Sequence, residues 1–241
     1  MAALNDLWLP VPANLNLLAN DVHVWRIHLD LSAAQQQTLL TTLSSDEVAR
    51  ANRFHFPLHR QRFIAGRGIL RNILGRYLHI APRQVEFDYQ ERGKPILAQS
   101  LAASGIFFNL SHSQGLALCA VNYHNHIGVD LEFINRTSDV AALAKRFFLP
   151  QEYALMRSLT GEQQQQTFFR YWTCKEAYLK ATGEGLSQLE QIEISLSPTE
   201  PAQLKTSENW SLFELTPATD YQGAVVVAGN GYNLKLWQLP Q

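Results

Sequence analysis

The sequence pattern predicts the same order of strands and helices twice within 241 residues, and this repetition limits the folds that are possible. In the first half, alternation of apolar and polar residues predicts a strand over 22–29. Apolar residues at helical spacing then predict helices over 44–54 and 59–78, and strands follow at 85–89 and within 106–121. This order favours helices packed against one face of a mostly antiparallel sheet.

The second half repeats that order. Its predicted elements are a strand at 128–133, helices at 140–148, 151–159 and 167–181, and strands at 192–196, 210–215 and 224–228. The segments Arg53–Pro57 and Arg146–Pro150 share the pattern R-F-x-x-P, which supports an internal duplication. The sequence therefore predicts an α+β chain of two similar halves, residues 1–126 and 127–241.

The composition is that of a globular protein, with 46% hydrophobic, 10% aromatic and 17% charged residues. These fractions exclude a disordered chain, a collagen and a coiled coil. The longest apolar runs, 116–121 and 224–228, are too short to cross a bilayer, and no signal peptide is visible. Cys119 and Cys174 are too few for a disulfide framework. We therefore expect a cytoplasmic protein with reduced thiols and no membrane partner.

Charge is unevenly distributed along the chain, although the net charge is only −1. Residues 1–129 carry 11 basic and 8 acidic side chains, whereas residues 130–241 carry 9 and 13. Between Arg50 and Val85 the sequence has eight arginines and no acid. Two interpretations of this stretch remain open, a solvated helix face or a surface that binds anions. A nucleic-acid-binding protein would be more basic overall, so we expect no nucleic-acid partner.

A pair of carboxylates follows Gly128 in the segment G-V-D-L-E. On a strand, Asp130 and Glu132 project to the same side, where their charges repel each other. A divalent cation such as Mg²⁺, which prefers oxygen ligands, would relieve that repulsion. The alternative is an exposed strand face with two solvated acids.

A third carboxylate lies in the segment W-T-C-K-E-A-Y-L-K-A-T-G, which begins at Trp172. Glu176 and Lys180 are four residues apart, so on a helix they share one face. The alternative for these two side chains is an ordinary surface ion pair.

Two further segments offer groups that bind anions. Asn109–Ser113 (N-L-S-H-S) follows an apolar strand, and a hydroxyl, an imidazole and turn amides suit an anion there. Arg92–Pro95 (R-G-K-P) is a predicted turn that presents cations, with backbone freedom at Gly93. The alternatives are a strand-end turn and a solvated turn. Together, the four segments supply carboxylates for a metal and cations for phosphates, as chemistry on a pyrophosphate requires.

These motifs resemble those of the Sfp-type 4′-phosphopantetheinyl transferases, and especially the heterocyst-associated, HetI-like branch. The resemblance spans roughly residues 50–196. It implies a pseudo-dimeric monomer of two similar halves with coenzyme A bound between them. It also implies transfer of the phosphopantetheine arm from coenzyme A to a serine of an apo acyl, polyketide or peptidyl carrier protein, with release of 3′,5′-ADP.

The same resemblance implies roles for individual residues. Asp130, Glu132 and Glu176 are the expected Mg²⁺ ligands, with Mn²⁺ as a substitute, and Glu176 is also the expected base for the serine hydroxyl. The expected catalytic set is Glu176, Asp130, Lys180 and His112. The expected coenzyme A contacts are Arg50, Arg53, Arg92, Gly93, Lys94, Pro95, Ser111, His112, Lys175 and Lys180. Glu47 departs from the pattern, because related members can carry a second base there.

Two other functions are compatible with parts of the sequence. A Mg²⁺-dependent nucleotide or phosphodiester hydrolase would use the same three carboxylates and would release product without a carrier protein. A non-enzymatic module that binds acidic helices would need only the arginine-rich half. Neither function requires R-G-K-P and N-L-S-H-S upstream of the carboxylates, so the sequence favours the transferase.

Overall fold

The computed structural model describes residues 7–135, 139–197 and 200–239. These residues form two compact units. Of the described residues, the N-terminal unit comprises 8–124 and 234–239, and the C-terminal unit comprises 7 and 125–233. The predicted division after residue 126 lies two residues from this boundary. The chain after residue 233, which the sequence analysis places in the second half, belongs to the N-terminal unit.

The helices and strands are defined as follows. The helices are α1 (Ala33–Leu40), α2 (Ser45–Ala51), α3 (Pro57–Leu78), α4 (Val140–Phe147), α5 (Pro150–Arg157) and α6 (Gly161–Thr182). The strands are β1 (Leu9–Pro10), β2 (Asp21–His28), β3 (Phe87–Tyr89), β4 (Pro95–Leu97), β5 (Ile106–Ser113), β6 (Leu116–Tyr123), β7 (Ile127–Phe133), β8 (Glu193–Ser195), β9 (Gln203–Lys205), β10 (Trp210–Leu215), β11 (Tyr221–Ala228) and β12 (Asn233–Gln238). Among the residues described, no helix is both long and apolar enough to cross a membrane.

The described part of the N-terminal unit is built on a five-stranded sheet with the order β1-β12-β2-β6-β5. β6 pairs antiparallel with both β2 and β5, while the short β1 pairs parallel with β12. The apolar stripe of α3, which includes Ile64, Leu70 and Leu74, shares a buried core with Trp25 and Ile27 of β2. β3 and β4 form a separate antiparallel hairpin that follows α3 in the chain.

The C-terminal unit has a smaller antiparallel sheet in which β10, β11 and β7 are neighbours in that order, and β8 pairs with β9. α6 packs across β7 and β11, and its residues Phe168 and Leu179 share a core with Val226 of β11. Cys119 in the N-terminal unit and Cys174 in the C-terminal unit are buried with free thiols, as the sequence predicts. Each unit therefore has helices packed on a mostly antiparallel sheet, which confirms the predicted α+β class.

Three local features differ from the sequence-based expectation. α1 has no predicted counterpart, because Leu39 is its buried residue and its polar side chains show no helical stripe. α6 begins at Gly161, so the glutamine run at 163–166 belongs to the first turns of the helix. The segment 109–113 is the last part of β5 and not a turn, since the turn follows at Gln114, whose φ is 51°.

The two R-F-x-x-P segments do not occupy equivalent places in the two units. Pro57 is the first residue of α3, which has 22 residues, whereas Pro150 is the first residue of α5, which has 8. The helix that matches α3 in length is α6, also of 22 residues. Proline suits the first turn of any helix, because the N–H that it lacks has no partner there. The shared pattern therefore reflects two helix starts and not the duplication.

Candidate active site

Asp130 and Glu132 are two residues apart on β7, on the face across which α6 packs. Gly128 precedes them on the same face, and a Cβ at that position would overlap backbone atoms of Ala177 and Ala181. The glycine therefore allows α6 to lie directly against β7. This close approach brings the carboxylate of Glu176 into the field of the two strand carboxylates.

Lys180 forms an ion pair with Asp130, which lies on β7 and outside its own helix. Its Nζ lies 2.6 Å from Oδ1 of Asp130, whose side chain is only 4% exposed, while the side chain of Lys180 is 29% exposed. A buried carboxylate needs a nearby cation, because burial alone strongly disfavours its charge. Lys180 therefore supplies a cation to the carboxylate cluster and keeps part of its side chain accessible.

Glu176 is half-buried and has an unusual proton affinity. Burial, followed by the negative charges of Asp130 and Glu132, raises the pKa of Glu176 from 4.5 to about 7, while the positive charge of Lys180 opposes the rise. A carboxylate with a pKa near neutrality can accept a proton at physiological pH and afterwards return it. The environment of this side chain therefore suits a general base.

The three carboxylates fit a divalent cation by their chemistry. They are oxygen donors of the kind that Mg²⁺ prefers, and their mutual repulsion, visible in the raised pKa of Glu176, would fall when a cation binds. Within the described ranges, no three histidine, cysteine or acidic side chains are arranged as a ready-made metal site. The ammonium of Lys180 lies 2.6 Å from Oδ1 of Asp130 and already offsets part of the negative charge of the cluster.

His112 and Ser111 lie at the end of β5 in the N-terminal unit. His112 is exposed and lines a pocket of about 260 Å³, together with His59, Arg62 and two phenylalanines. Ser111 is buried and projects to the opposite face of the strand, because the segment is extended and not a turn. The structure therefore gives His112, but not Ser111, a position in a pocket that also contains the cationic Arg62.

The arginine-rich stretch is only partly a solvated surface. Arg50 and Arg53 are exposed, as a phosphate contact requires. Arg67 and Arg71 are buried beside Glu47, and Nε of Arg71 lies 2.7 Å from a carboxylate oxygen of Glu47. The acid at position 47, which departs from the family pattern, thus neutralises buried arginines of its own unit.

The R-G-K-P segment forms the turn between β3 and β4, as predicted. Gly93 has φ of +76°, a conformation that favours glycine, and its N–H donates to the carbonyl of Gln90 at 2.7 Å. Arg92 and Gly93 are exposed, while Lys94 and Pro95 are half-buried. The turn therefore presents one fully exposed cation and one partly covered cation.

Two family models match the chain in succession. A model described as 4′-phosphopantetheinyl transferase, N-terminal, matches residues 30–124, and a model of the 4′-phosphopantetheinyl transferase superfamily matches residues 126–227. The chain is also similar to the 4′-phosphopantetheinyl transferase HetI of Nostoc sp., with 63% identity over 97% of this chain and 99% of that protein. The chain belongs to the 4′-phosphopantetheinyl transferase superfamily.

Further relatives agree with this assignment. The transferase is 32% identical to the 4′-phosphopantetheinyl transferase psf-1 of Bacillus pumilus, over 81% of this chain and 84% of that protein. It is 28% identical to the 4′-phosphopantetheinyl transferase Sfp of Bacillus subtilis, over 77% of this chain and 86% of that protein. These similarities confirm the Sfp-type, HetI-like resemblance of the motifs, and they do not favour the hydrolase.

Lys175 of the transferase does not have the exposure that a coenzyme A contact needs. Its side chain is fully buried, and Nζ lies 2.6 Å from Oε2 of Glu152 and 3.1 Å from the carbonyl oxygen of Leu189. Lys175 is expected to contact coenzyme A because it stands next to Glu176 in the motif. Adjacent helix positions point about 100° apart, however, so Lys175 faces the interior when Glu176 faces β7.

Proposed function

We propose that the transferase moves the 4′-phosphopantetheine arm of coenzyme A to a serine of an apo acyl or peptidyl carrier protein, in a Mg²⁺-dependent reaction. The observation that most directly supports this reaction is the cluster of Asp130, Glu132 and Glu176, in which the pKa of Glu176 is raised to about 7. The names of the relatives support the same activity.

In the proposed reaction the serine oxygen attacks the pantetheine-bearing phosphorus of coenzyme A. A new P–O bond forms to serine, the P–O bond to the adenosine-bearing phosphate breaks, and 3′,5′-ADP leaves. The serine proton passes to the carboxylate of Glu176. General-base assistance of this kind typically contributes about 10²–10⁴-fold to the rate.

Asp130, Glu132 and Glu176 would hold Mg²⁺, or Mn²⁺ in its place. When bound, the ion supplies positive charge that neutralises pyrophosphate oxygens as the bond breaks. Lys180 is the second source of positive charge, because part of its side chain is accessible beside Asp130. Its ammonium would bind a phosphate oxygen of coenzyme A by a charge-assisted hydrogen bond.

The proposed coenzyme A contacts retain the exposed and partly exposed groups of the sequence-based set. They are Arg50, Arg53, Arg92, Gly93, Lys94, Pro95, His112 and Lys180, with Ser111 as a neighbour of His112 and without Lys175. Guanidinium and ammonium groups suit the 3′-phosphate and pyrophosphate, and the R-G-K-P turn suits the adenine end. We further propose that the transferase acts as a monomer.

Mass spectrometry tests the proposed activity. The transferase is incubated with coenzyme A, Mg²⁺ and an apo carrier protein, and with the same carrier in which the acceptor serine is alanine. We expect the first carrier to gain one phosphopantetheine arm and the second to gain nothing. Release of nucleotide without any carrier would instead support the hydrolase.

A further inference from the structure

Each unit contains a buried carboxylate at the third residue of a short helix. Glu47 has this place in α2 and Glu152 has it in α5. Each accepts a hydrogen bond from the backbone N–H of the residue before its helix, Ser44 at 3.2 Å and Leu149 at 3.0 Å. Both carboxylates are only 1% exposed. The two short helices α2 and α5 are therefore closed at their N-termini in the same way.

Each of these carboxylates binds a cation at the fifteenth residue of a 22-residue helix. Arg71 has this place in α3 and lies 2.7 Å from Glu47, whereas Lys175 has it in α6 and lies 2.6 Å from Glu152. In both cases the cation also donates to the carbonyl oxygen 14 residues further on, that of Val85 or Leu189. We call each set of carboxylate, cation and carbonyl a buried anchor.

The contribution of a buried anchor is not limited to the free energy of folding. Removing two charges from water costs free energy, and replacement of a buried pair by apolar side chains of similar size is often neutral or stabilising. What the anchor provides is direction, because a short charge-assisted hydrogen bond fixes where the side chain points. In the C-terminal unit it joins α5, α6 and the segment at Leu189, and Glu152 also accepts the N–H of Ile194 in β8 at 2.9 Å.

The two anchors differ in the residue that follows the cation. In α3 the next residue is Asn72, whereas in α6 it is Glu176. Adjacent residues of a helix are separated by about 100° of rotation. An anchor that fixes the direction of Lys175 therefore fixes the rotation of α6 about its axis, and with it the direction of the Glu176 side chain.

We propose that Glu152 and Lys175 are a positioning pair that sets the rotation of α6 and holds Glu176 toward Asp130 and Glu132. Neither residue touches the substrate; both act through Glu176. The inference rests on the proposed function for the role of Glu176. The effect of the positioning pair on ion binding is measured without turnover, however. Failure of the positioning pair is therefore distinguishable from failure of the proposed function.

The experiment measures Mn²⁺ binding to the full-length transferase by electron paramagnetic resonance, together with the melting temperature and the kcat for carrier modification. The test variant is Glu152→Gln with Lys175→Met, which is neutral and of similar size. The matched control, Glu47→Gln with Arg71→Met, removes the equivalent anchor of the N-terminal unit. Lys175→Arg places in α6 the cation that α3 has at the same position.

We expect the test variant to bind Mn²⁺ about 10–100-fold more weakly, as is usual when a group supporting a metal ligand is lost. Its kcat falls while its melting temperature stays close to that of the wild type. The control keeps the wild-type Mn²⁺ affinity, and Lys175→Arg, which retains a cation at this position, keeps most of it. If the double variant does not fold, Glu152→Asp, which retracts the carboxylate by one methylene, serves instead with the same expectation for Mn²⁺.

Two results would overturn the positioning role. One is a test variant with wild-type Mn²⁺ affinity and kcat and a changed melting temperature, which would show that the anchor only stabilises the fold. The other is an equal loss of affinity in the control. If the wild type itself binds no Mn²⁺, the metal assignment in the proposed function fails, and an unchanged kcat in the test variant then rejects the positioning pair.

Discussion

The ammonium of Lys180 lies 2.6 Å from the buried carboxylate of Asp130, fifty residues earlier in the chain. This pair joins β7 to α6 and partly neutralises a cluster of three carboxylates. A divalent cation would compete with Lys180 for Asp130, because both would neutralise the same carboxylate. The ammonium and the ion are therefore expected to substitute for each other in the free protein.

Asp130→Asn should abolish transfer while the protein remains folded. The change removes one charge from a repelling cluster, and the partly exposed Lys180 can return to solvent at little cost. Loss of a direct metal ligand should lower kcat/KM by more than the roughly 10–100-fold that follows loss of a group that only supports a ligand. The check is a measurement of initial rates and melting temperatures for this variant and for a control variant, Glu190→Gln, which changes an exposed acid of the same unit. Near wild-type rates in saturating Mg²⁺ would reject the metal role of Asp130.

Lys180→Met should raise the KM for coenzyme A by about tenfold or more, because a hydrogen bond to a charged group contributes about 1.5–3 kcal/mol. It also leaves the buried Asp130 without its lysine, so the metal-free variant should melt at a lower temperature than the wild type. Mg²⁺ should then raise the melting temperature of the variant more than that of the wild type. Thermal unfolding with and without Mg²⁺ measures this, and equal shifts would mean that the ion does not replace the ammonium.

The raised pKa of Glu176 predicts how stability depends on pH in the metal-free protein. The native carboxyl keeps its proton up to about pH 7, whereas the unfolded chain releases it near 4.5. The native state therefore binds more protons between these values, and the free energy of unfolding falls as pH rises through 7. Glu176→Gln should be more stable than the wild type by about 1–3 kcal/mol at pH 8, with the difference shrinking toward pH 4.5. A difference independent of pH would contradict the assignment.

The sequence was sufficient for the elements with strong periodicity and for the D-x-E pair, because both signals are local. It did not reveal the Lys180–Asp130 pair, since spacing alone pairs Lys180 with its helix neighbour Glu176. Nor did it reveal that Glu47 neutralises Arg71, which lies 24 residues away. Nor did it reveal that Lys175 is buried, because proximity in a motif does not state which way a side chain points.

His23 gives the N-terminal unit its own pH dependence. It is fully buried, and burial lowers its pKa from 6.5 to about 4. Nε1 of Trp25 donates to the Tyr77 hydroxyl, which lies within hydrogen-bond distance of Nδ1 of His23, at 2.8 Å. The ring is therefore held neutral.

In the unfolded chain His23 binds a proton first as pH falls. Its contribution to stability is complete above pH 6.5 and is lost toward pH 4, by up to about 3 kcal/mol. His23→Leu should flatten the decline of melting temperature between pH 7 and pH 4.5, whereas His55→Leu, at an exposed position, should not. Parallel curves for the wild type and both variants would show that His23 does not cause the acid sensitivity.

The most direct test of the account is the stoichiometry of the reaction as metal is removed and restored. Holo-carrier protein and 3′,5′-ADP are quantified together after the transferase, stripped with EDTA, is given coenzyme A, apo carrier and increasing Mg²⁺. We expect no product without metal and equal amounts of the two products at every Mg²⁺ concentration that supports turnover. Undiminished transfer by the stripped enzyme, or nucleotide released in excess of holo-carrier, would contradict it.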